Sequence, residues 1–293
     1  MPQNSFYVSS NSLTSEQIDA LWTVNDPLEG EVKLKNAVAD YPESVDELHT
    51  QIARSLGLQG RFDEAWDELS KISVVHSPLV EIRIQLEKGR RKNSSDKRND
   101  AKPYFLKALE LAEQGHSDYY AIDAAHMLGI VSEGPESIRW NQLALQLAAN
   151  SKLKRAQNWK GSLLNNLGWT YFSIGDFNTA LTTLESALDF EMTVGDPIRI
   201  RIARWTVARS LRALKRYDEA FAIQNDLIQY PEQGYVSEEL GELLLVLGRP
   251  DEAKSRFKRA YDLLSQSLGS DPGQANRLAR LKELSQISDT TFG

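Results

Sequence analysis

The chain has 293 residues, enough for two average domains or for one elongated array of repeats. Hydrophobic residues make up 41% of it and charged residues 26%, a balance typical of a soluble, folded protein. The formal net charge of −7 argues against nucleic acid and against anionic membranes as partners. There is no cysteine, which excludes disulfide bonds, thiol catalysis and cysteine-ligated zinc.

The first part of the chain shows no pattern of a targeting segment. Its first basic residue is Lys33, whereas a secretory signal begins with positive charge and a transit peptide is rich in arginine. Residues 1–12 are rich in serine and asparagine and predict a flexible N-terminus. The longest apolar run, Leu243–Leu247, is far shorter than the roughly 20 residues of a membrane-spanning helix. We therefore expect a cytoplasmic protein that does not cross a membrane.

A small residue recurs along the chain at intervals of 33 to 43 residues, each time within a similar apolar pattern. The most complete copy contains Leu167, Gly168 and Trp169, then Gly175, then Ala180. The equivalent small residues are Gly30, Ala65, Ala101, Ser137, Ala180, Ala220 and Ala253.

Each copy reads as two helices joined by a turn. Gly168 and Gly241 leave room for the first helix to approach its partner closely, and the small residue of the second helix has the same effect. Gly60, Gly175 and Gly248 follow the last turn of a first helix, where a left-handed cap favours glycine. One such pair cannot bury its apolar face alone, so neighbouring pairs are expected to stack.

This pattern resembles the tetratricopeptide repeat (TPR) family over roughly residues 11–267. The resemblance implies an all-α, right-handed α-solenoid of about seven repeats at residues 13–267. A C-terminal capping helix and tail would follow at 268–293, where Ser270-Asp271-Pro272 is a helix-start signal and Leu278, Leu281 and Leu284 are available for burial. The copy at 122–155 is compressed between its helices, and the second helix that begins near Leu181 continues to about Val194.

Catalytic and cofactor motifs are absent from the sequence. It contains no phosphate-binding glycine loop, dinucleotide fingerprint, serine nucleophile elbow or HExxH motif. Its four histidines do not have the spacing of metal ligands. We expect no cofactor, no metal and no catalytic residues; an enzyme would need a site assembled across repeats, for example from His126, Arg209 and Glu238.

The resemblance also implies that the first helices line a concave groove. The repeat register places these candidate ligand-binding residues there: Arg54, Arg83, Arg90, His126, Asn165, Asn166, Trp169, Trp205, Arg209, Arg212 and Glu238. Arginine binds carboxylates in a bidentate manner, and tryptophan stacks on aromatic, proline or cationic groups. The predicted partner is a protein or peptide with an acidic or aromatic segment. The same register gives the groove Glu47, Thr50, Leu86, Asp123, Tyr235 and Glu242, with an acidic patch of Glu238, Glu239 and Glu242.

A purely structural role for these residues stays open. Arg209 could pair with Glu238 or Glu242 on the next first helix, and Trp169 could pack on Trp205. The favoured function is a non-catalytic adaptor or scaffold. The alternatives are a sensor that encloses a small molecule or signalling peptide and, third, an atypical enzyme; the sequence also leaves a homo-oligomer open.

Overall fold

The computed structural model describes residues 11–22, 26–73, 75, 77–94, 98–230, 234–268 and 272–286. Every regular element in these ranges is helical, which confirms the predicted all-α class. Most of the predicted flexible N-terminus, Ser270, Asp271 and the tail beyond residue 286 lie outside the described residues. The chain forms two compact units, residues 1–159 and 160–293, and each is treated by itself below.

The first unit consists of helices packed as successive antiparallel neighbours. Its first pair is incomplete, since α1 has only six residues, although Ile18 of α1 is fully buried in the core with Leu34 and Ile52. A short extra helix, α9, follows the last pair. The helices are α1 (Ser15–Ala20), α2 (Pro27–Asp40), α3 (Val45–Leu58), α4 (Phe62–Ser70), α5 (Pro78–Ser94), α6 (Arg98–Gln114), α7 (Asp118–Val131), α8 (Gly134–Asn150) and α9 (Lys154–Gln157).

The second unit contains three full helix pairs and a last helix within its described residues. Asp196 caps the start of α12 through the amides of Ile198 and Arg199, directly after the left-handed Gly195 ends α11. The helices are α10 (Lys160–Ser173), α11 (Phe177–Val194), α12 (Pro197–Ala213), α13 (Tyr217–Leu227), α14 (Gly234–Val246), α15 (Pro250–Leu268) and α16 (Ala275–Leu284).

The turns inside the pairs have the predicted left-handed residue. Gly60, Gly175 and Gly248 have φ values of 74°, 85° and 73°. Lys215 takes the equivalent place after α12 with φ 62°, a conformation that costs a residue with a side chain about 1 kcal/mol. The turn therefore keeps its geometry even where the sequence lacks glycine.

Close approach of paired helices depends on the glycines that the repeat pattern identifies. A Cβ atom on Gly168 would lie 2.5 Å from Leu184, and one on Gly241 would lie 2.8 Å from the ring of Phe257. Gly89 meets Phe105 in the same way, at 2.5 Å. The recurring small residues all lie on second helices and are all buried, as expected: Gly30, Ala65, Ala101, Ser137, Ala180, Ala220 and Ala253.

Two irregularities of the repeat pattern are confirmed. Only Ser132 and Glu133 separate α7 from α8, which is the predicted compression, and α11 runs for 18 residues up to Val194. Helix α16 packs on the core of the second unit, with Leu281 fully buried and Leu278 and Leu284 partly buried, as the capping interpretation predicts.

Among the described residues, no helix is both long and apolar enough to pass through a bilayer.

Candidate ligand-binding surfaces

The predicted site residues fall into two sets, one in each unit. Helices α3, α5 and α7 carry Arg54, Arg83, Arg90 and His126 in the first unit. In the second unit α10, α12 and α14 carry Asn165, Asn166, Trp169, Trp205, Arg209, Arg212 and Glu238. All of them lie on first helices, because the repeat period places equivalent positions on equivalent faces.

The first unit contains an open cavity of about 500 Å³. A volume of this size is typical of pockets for small ligands. Three predicted residues, Arg54, Arg83 and Arg90, line it. So do residues that the prediction did not include: Asp19, Trp22, Tyr119, Tyr120, Arg155 and Trp159.

Arg90 is held by two carboxylates inside this cavity. One of its terminal nitrogens donates to both carboxylate oxygens of Asp123, at 2.5 and 2.6 Å, and the other contacts Glu87. The side chains of Arg90, Asp123 and Glu87 are 12%, 9% and 9% exposed. Burial acts to raise the pKa of the Asp123 carboxyl, but Arg90 and then Arg54 outweigh it and hold that pKa below its usual value. Asp123 is therefore ionised and bound to Arg90.

Arg83 is buried and makes structural contacts with two other helices. It is 2% exposed, its Nε donates to the Tyr120 hydroxyl at 2.8 Å, and it pairs with Glu47 at 2.9 Å. The interpretation of Arg83 as a ligand-binding residue therefore changes: it fixes the wall of the cavity by joining α3, α5 and α7.

His126 lies beside the cavity and is not part of its lining. Its ring is 5.0 Å from the indole of Trp159. Burial lowers the pKa of His126 to about 4; Asp123 opposes this shift, whereas Arg90 and Arg54 add to it. The imidazole is consequently neutral at pH 7.

In the second unit the aromatic side chains of three successive first helices form a continuous row, which we call the aromatic ladder: Trp169, Trp205 and Tyr235. The ring centres of Trp169 and Trp205 are 5.8 Å apart, and those of Trp205 and Tyr235 are 5.9 Å apart. The Trp205 indole also donates to the Tyr235 carbonyl at 3.2 Å. The packing of Trp169 on Trp205, the structural alternative considered above, is thus present, yet both side chains remain half-buried and Tyr235 is 40% exposed.

Arg209 lies between the two tryptophans. Its guanidinium carbon is 5.3 Å from the ring centre of Trp169 and 5.4 Å from that of Trp205. Both distances are within the range of cation–π attraction. Asn165 lies one helical turn before Trp169 on the same face of α10, followed by Asn166, and both are half-buried.

The predicted acidic patch is wrong as a free surface, because each of its carboxylates is paired with an arginine. Glu238 pairs with Arg277, and Glu242 pairs with Arg280 at 2.5 Å. Glu239 accepts two hydrogen bonds from Arg212, at 2.7 and 3.0 Å, and lies 3.3 Å from Arg209. The partner of Arg209 is therefore Glu239 and not Glu238 or Glu242, since the capping helix α16 supplies arginines to those two.

The predicted placement of Thr50 in the groove is also wrong. Thr50 is fully buried, and its hydroxyl donates to the Glu47 carbonyl. The cause is the N-terminal segment, which covers this part of α3: Ser15 donates to Glu47, and the Trp22 indole donates to Gln51 at 2.6 Å. Leu86 is 1% exposed and belongs to the core, although one edge reaches the cavity.

Comparison with known proteins agrees with the repeat pattern. Residues 161–197, which span α10 and α11, match the tetratricopeptide repeat family. No curated protein matches the chain in sequence. Solved structures do match it: a signal-transduction ATPase with a tetratricopeptide repeat sensor from Pyrococcus horikoshii is 14% identical, with a TM-score of 0.64 over 93% of this chain. The chain spans about half the length of that protein (49%). The chain therefore contains a tetratricopeptide repeat and has the fold of tetratricopeptide repeat proteins.

Two further solved structures are similar in fold. NprR, crystallised in complex with its cognate peptide NprX, is 16% identical, with a TM-score of 0.64 over 94% of this chain and 84% of its own. A Rap protein complexed with the competence and sporulation factor is 14% identical, with a TM-score of 0.64 over 92% of this chain and 83% of its own. At such identities the likeness shows the fold.

The TPR register explains which cavity residues the sequence prediction missed. Arg155 and Trp159 lie between α8 and α10, in the longest interval of the repeat pattern, from Ser137 to Ala180, where the register assigns no position. The extra length of that interval, which contains a basic and an aromatic residue, was the signal in the sequence that could have identified them as cavity residues. Tyr119 falls one residue before Tyr120 at the start of α7, outside the positions attributed to the groove.

Proposed function

We propose that this TPR protein is a non-catalytic adaptor or scaffold that binds a peptide segment of a protein partner on the first-helix surface of its second unit. The observation that carries the proposal is the aromatic ladder with Arg209 between its tryptophans. Asn165, Asn166 and Trp169 on α10, Trp205, Arg209 and Arg212 on α12, and Glu238 on α14 are its proposed contact region.

The chemistry of the ladder fits a peptide with an aromatic and an acidic residue. Tryptophan, tyrosine and arginine are the residue types that most often dominate the energy of protein interfaces. Arg209 and Arg212 share the single carboxylate of Glu239, which leaves excess positive charge beside the rings. An acidic side chain of the peptide would meet Arg209, and an aromatic one would stack on the half-buried indoles.

The likeness to structures solved with a bound peptide or factor gives this proposal further support. NprR was crystallised with its cognate peptide and the Rap protein with the competence and sporulation factor, and both have the fold of this chain. We extend peptide binding to the present chain as a proposal, on the basis of its own aromatic and arginine side chains.

A second candidate function is a sensor of a small molecule or signalling peptide. The cavity of about 500 Å³ in the first unit favours it, because a concave space with charged and aromatic walls can contact a ligand on several sides. The cytoplasmic location and the homo-oligomer stay predictions from the sequence.

The test starts from a peptide selected by phage display on the full chain. Trp205→Ala and Arg209→Ala should each weaken binding of that peptide by about 30-fold or more, equivalent to about 2 kcal/mol for an interface hot spot. Isothermal titration calorimetry gives the dissociation constants, and far-ultraviolet circular dichroism checks that the helical content is unchanged.

The chain offers matched controls for both substitutions. Trp66 is 38% exposed on the second helix α4, where Arg91 lies 4.9 Å from its ring, so that Trp66→Ala removes a similar Trp–Arg contact elsewhere. Arg216 is an exposed arginine paired with Glu219. Peptides that bind equally well to the wild type and to the ladder variants, or that lose binding only with Trp66→Ala, contradict the proposal.

A further inference from the structure

We propose that Arg54, in the cavity of the first unit, binds the carboxylate of a ligand whose aromatic part packs on Trp22, Tyr119 and Trp159. The inference concerns residues of the first unit alone. It therefore does not depend on peptide binding by the aromatic ladder, and it gives the chemical class of the ligand that the sensor alternative requires.

Arg54 differs from the other arginines of the cavity in having no anionic partner. Among the described residues, no hydrogen bond or ion pair reaches its guanidinium group. Arg83 by contrast is paired with Glu47, Arg90 with Asp123 and Glu87, and Arg155 with Asp19.

The carboxylates that line the cavity are already engaged. Asp123 gives both its oxygens to one nitrogen of Arg90, and Glu87 is bound to the other nitrogen. Asp19 is held by Arg155. The carboxylate of a bound ligand would therefore meet one guanidinium group without an ion-pair partner. A second negative charge on the ligand would find no such partner and would be repelled by the engaged carboxylates nearby.

The free-energy cost of keeping Arg54 charged also favours a bound anion. Burial, followed by the proximity of Arg90, lowers the pKa of Arg54, although Glu87 and Asp123 partly compensate. A cation in this setting is stabilised by an anion that can make two parallel hydrogen bonds to it, and a carboxylate has that geometry.

The walls near Arg54 provide flat apolar surface. Trp22 is oriented by its hydrogen bond to Gln51, and Trp159 is fixed edge-on to Tyr119, with ring centres 6.1 Å apart. Arg155 lies 4.5 Å from the centre of the Tyr119 ring. A cavity of about 500 Å³ has room for an aromatic ring beside the carboxylate.

The experiment compares benzoate with benzamide, which has the same shape without the charge. Binding is followed through the indole N–H signals of Trp22 and Trp159 in ¹H–¹⁵N spectra of the full chain, assigned with Trp22→Phe and Trp159→Phe. Benzoate should shift both signals in a saturable manner and bind at least tenfold more tightly than benzamide. Arg54→Gln should weaken benzoate binding at least tenfold, and Arg216→Gln should leave it unchanged.

Phenyl phosphate tests whether the anionic group of the ligand is a carboxylate or a phosphate. Because Asp19, Glu87 and Asp123 surround the site, a dianionic phosphate should bind more weakly than benzoate; tighter binding that also depends on Arg54 would overturn the assignment of a carboxylate. Absence of a saturable benzoate shift, or equal shifts in wild type and Arg54→Gln, would overturn the site itself.

Thermal unfolding without ligand gives a second readout for Arg54. Since Arg54 has no partner among the described residues, Arg54→Gln should leave the melting temperature unchanged or raise it. A clear fall would mean that Arg54 is structural. Trp205→Ala serves to separate the two proposals: it should weaken peptide binding as stated above and leave benzoate binding intact, so that either proposal can fail alone.

Discussion

In the first unit Arg90 is 12% exposed and bonded to Asp123 and Glu87, whereas in the second unit Arg209 is 33% exposed and lies between the rings of Trp169 and Trp205. Both arginines occupy the same position of the repeat. Arg90 is bonded to Glu87 of its own helix and to Asp123 of α7, whereas Arg209 has the indoles of Trp169 and Trp205 on either side and only one carboxylate, Glu239, at 3.3 Å. An arginine on a first helix can thus be structural or available, and its neighbours decide which.

The ion pairs also have different structural roles in the two units. In the first unit the ion pairs fix the walls of a cavity, and among the described residues Arg54 takes part in none of them. In the second unit they run between successive helices and neutralise the acidic residues of α14, while the aromatic ladder stays half-exposed. The first unit is therefore suited to enclosing a small group and the second to holding an extended segment.

Removing Arg90 should have the largest effect. Arg90→Ala leaves Asp123 and Glu87 buried without a partner, and loss of one member of a buried ion pair costs about 3–5 kcal/mol of unfolding free energy. Arg209→Ala should cost only about 1 kcal/mol, because Glu239 keeps Arg212. Chemical denaturation of the two variants measures the difference, and equal losses would break the comparison between the units.

Acid should weaken the first unit before the second, because His126, whose pKa burial lowers, lies in α7 of the first unit. His126 has a pKa of about 4 in the folded protein and about 6.5 when unfolded. Between these values the unfolded chain binds a proton that the folded one does not, so stability falls as the pH drops from about 6.5 to about 4, by up to about 3 kcal/mol.

His126→Gln removes this titration and should flatten the pH dependence over that range. The measurement is hydrogen exchange of α7 amides at several pH values, with α14 amides as the internal reference. An unchanged pH profile in His126→Gln would show that the imidazole is not held neutral.

Each unit has a close contact between paired helices at a glycine, and substitution of that glycine should destabilise both units to a similar degree. Gly89→Ala and Gly241→Ala each place a methyl group against a buried phenylalanine ring and should cost about 1–3 kcal/mol of unfolding free energy. Gly57→Ala is the control: nothing lies within 4 Å of its added Cβ, and alanine favours a helix over glycine by about 1 kcal/mol. Denaturation that finds Gly57→Ala as harmful as the other two would contradict the assigned close contacts.

The repeat pattern predicted the helix pairs, their turns and the capping helix, because these follow from local signals. Gly175 and Gly248 mark turns through their backbone freedom, and Ala180 and Ala253 mark helix contacts through their size. The pattern also placed Trp169, Trp205 and Arg209 on one face, since a fixed period puts equivalent positions on equivalent faces.

The repeat pattern could not predict which side chains pair with each other. The pairing of Glu238 with Arg277 brings together residues 39 positions apart, on a first helix and the capping helix. The covering of Thr50 by the N-terminal segment depends on how residues 15–22 pack, which no repeat copy encodes. Whether Arg83, Arg90 or Arg54 is free depends on such contacts, and only the structure distinguishes them.

The most direct test of peptide binding by the second unit is a structure of the chain with its selected peptide. The account predicts that an aromatic or apolar side chain of the peptide lies against the indole of Trp205 and that an acidic group of the peptide bonds to Arg209. A bound peptide that touches neither Trp169, Trp205 nor Arg209 would contradict it.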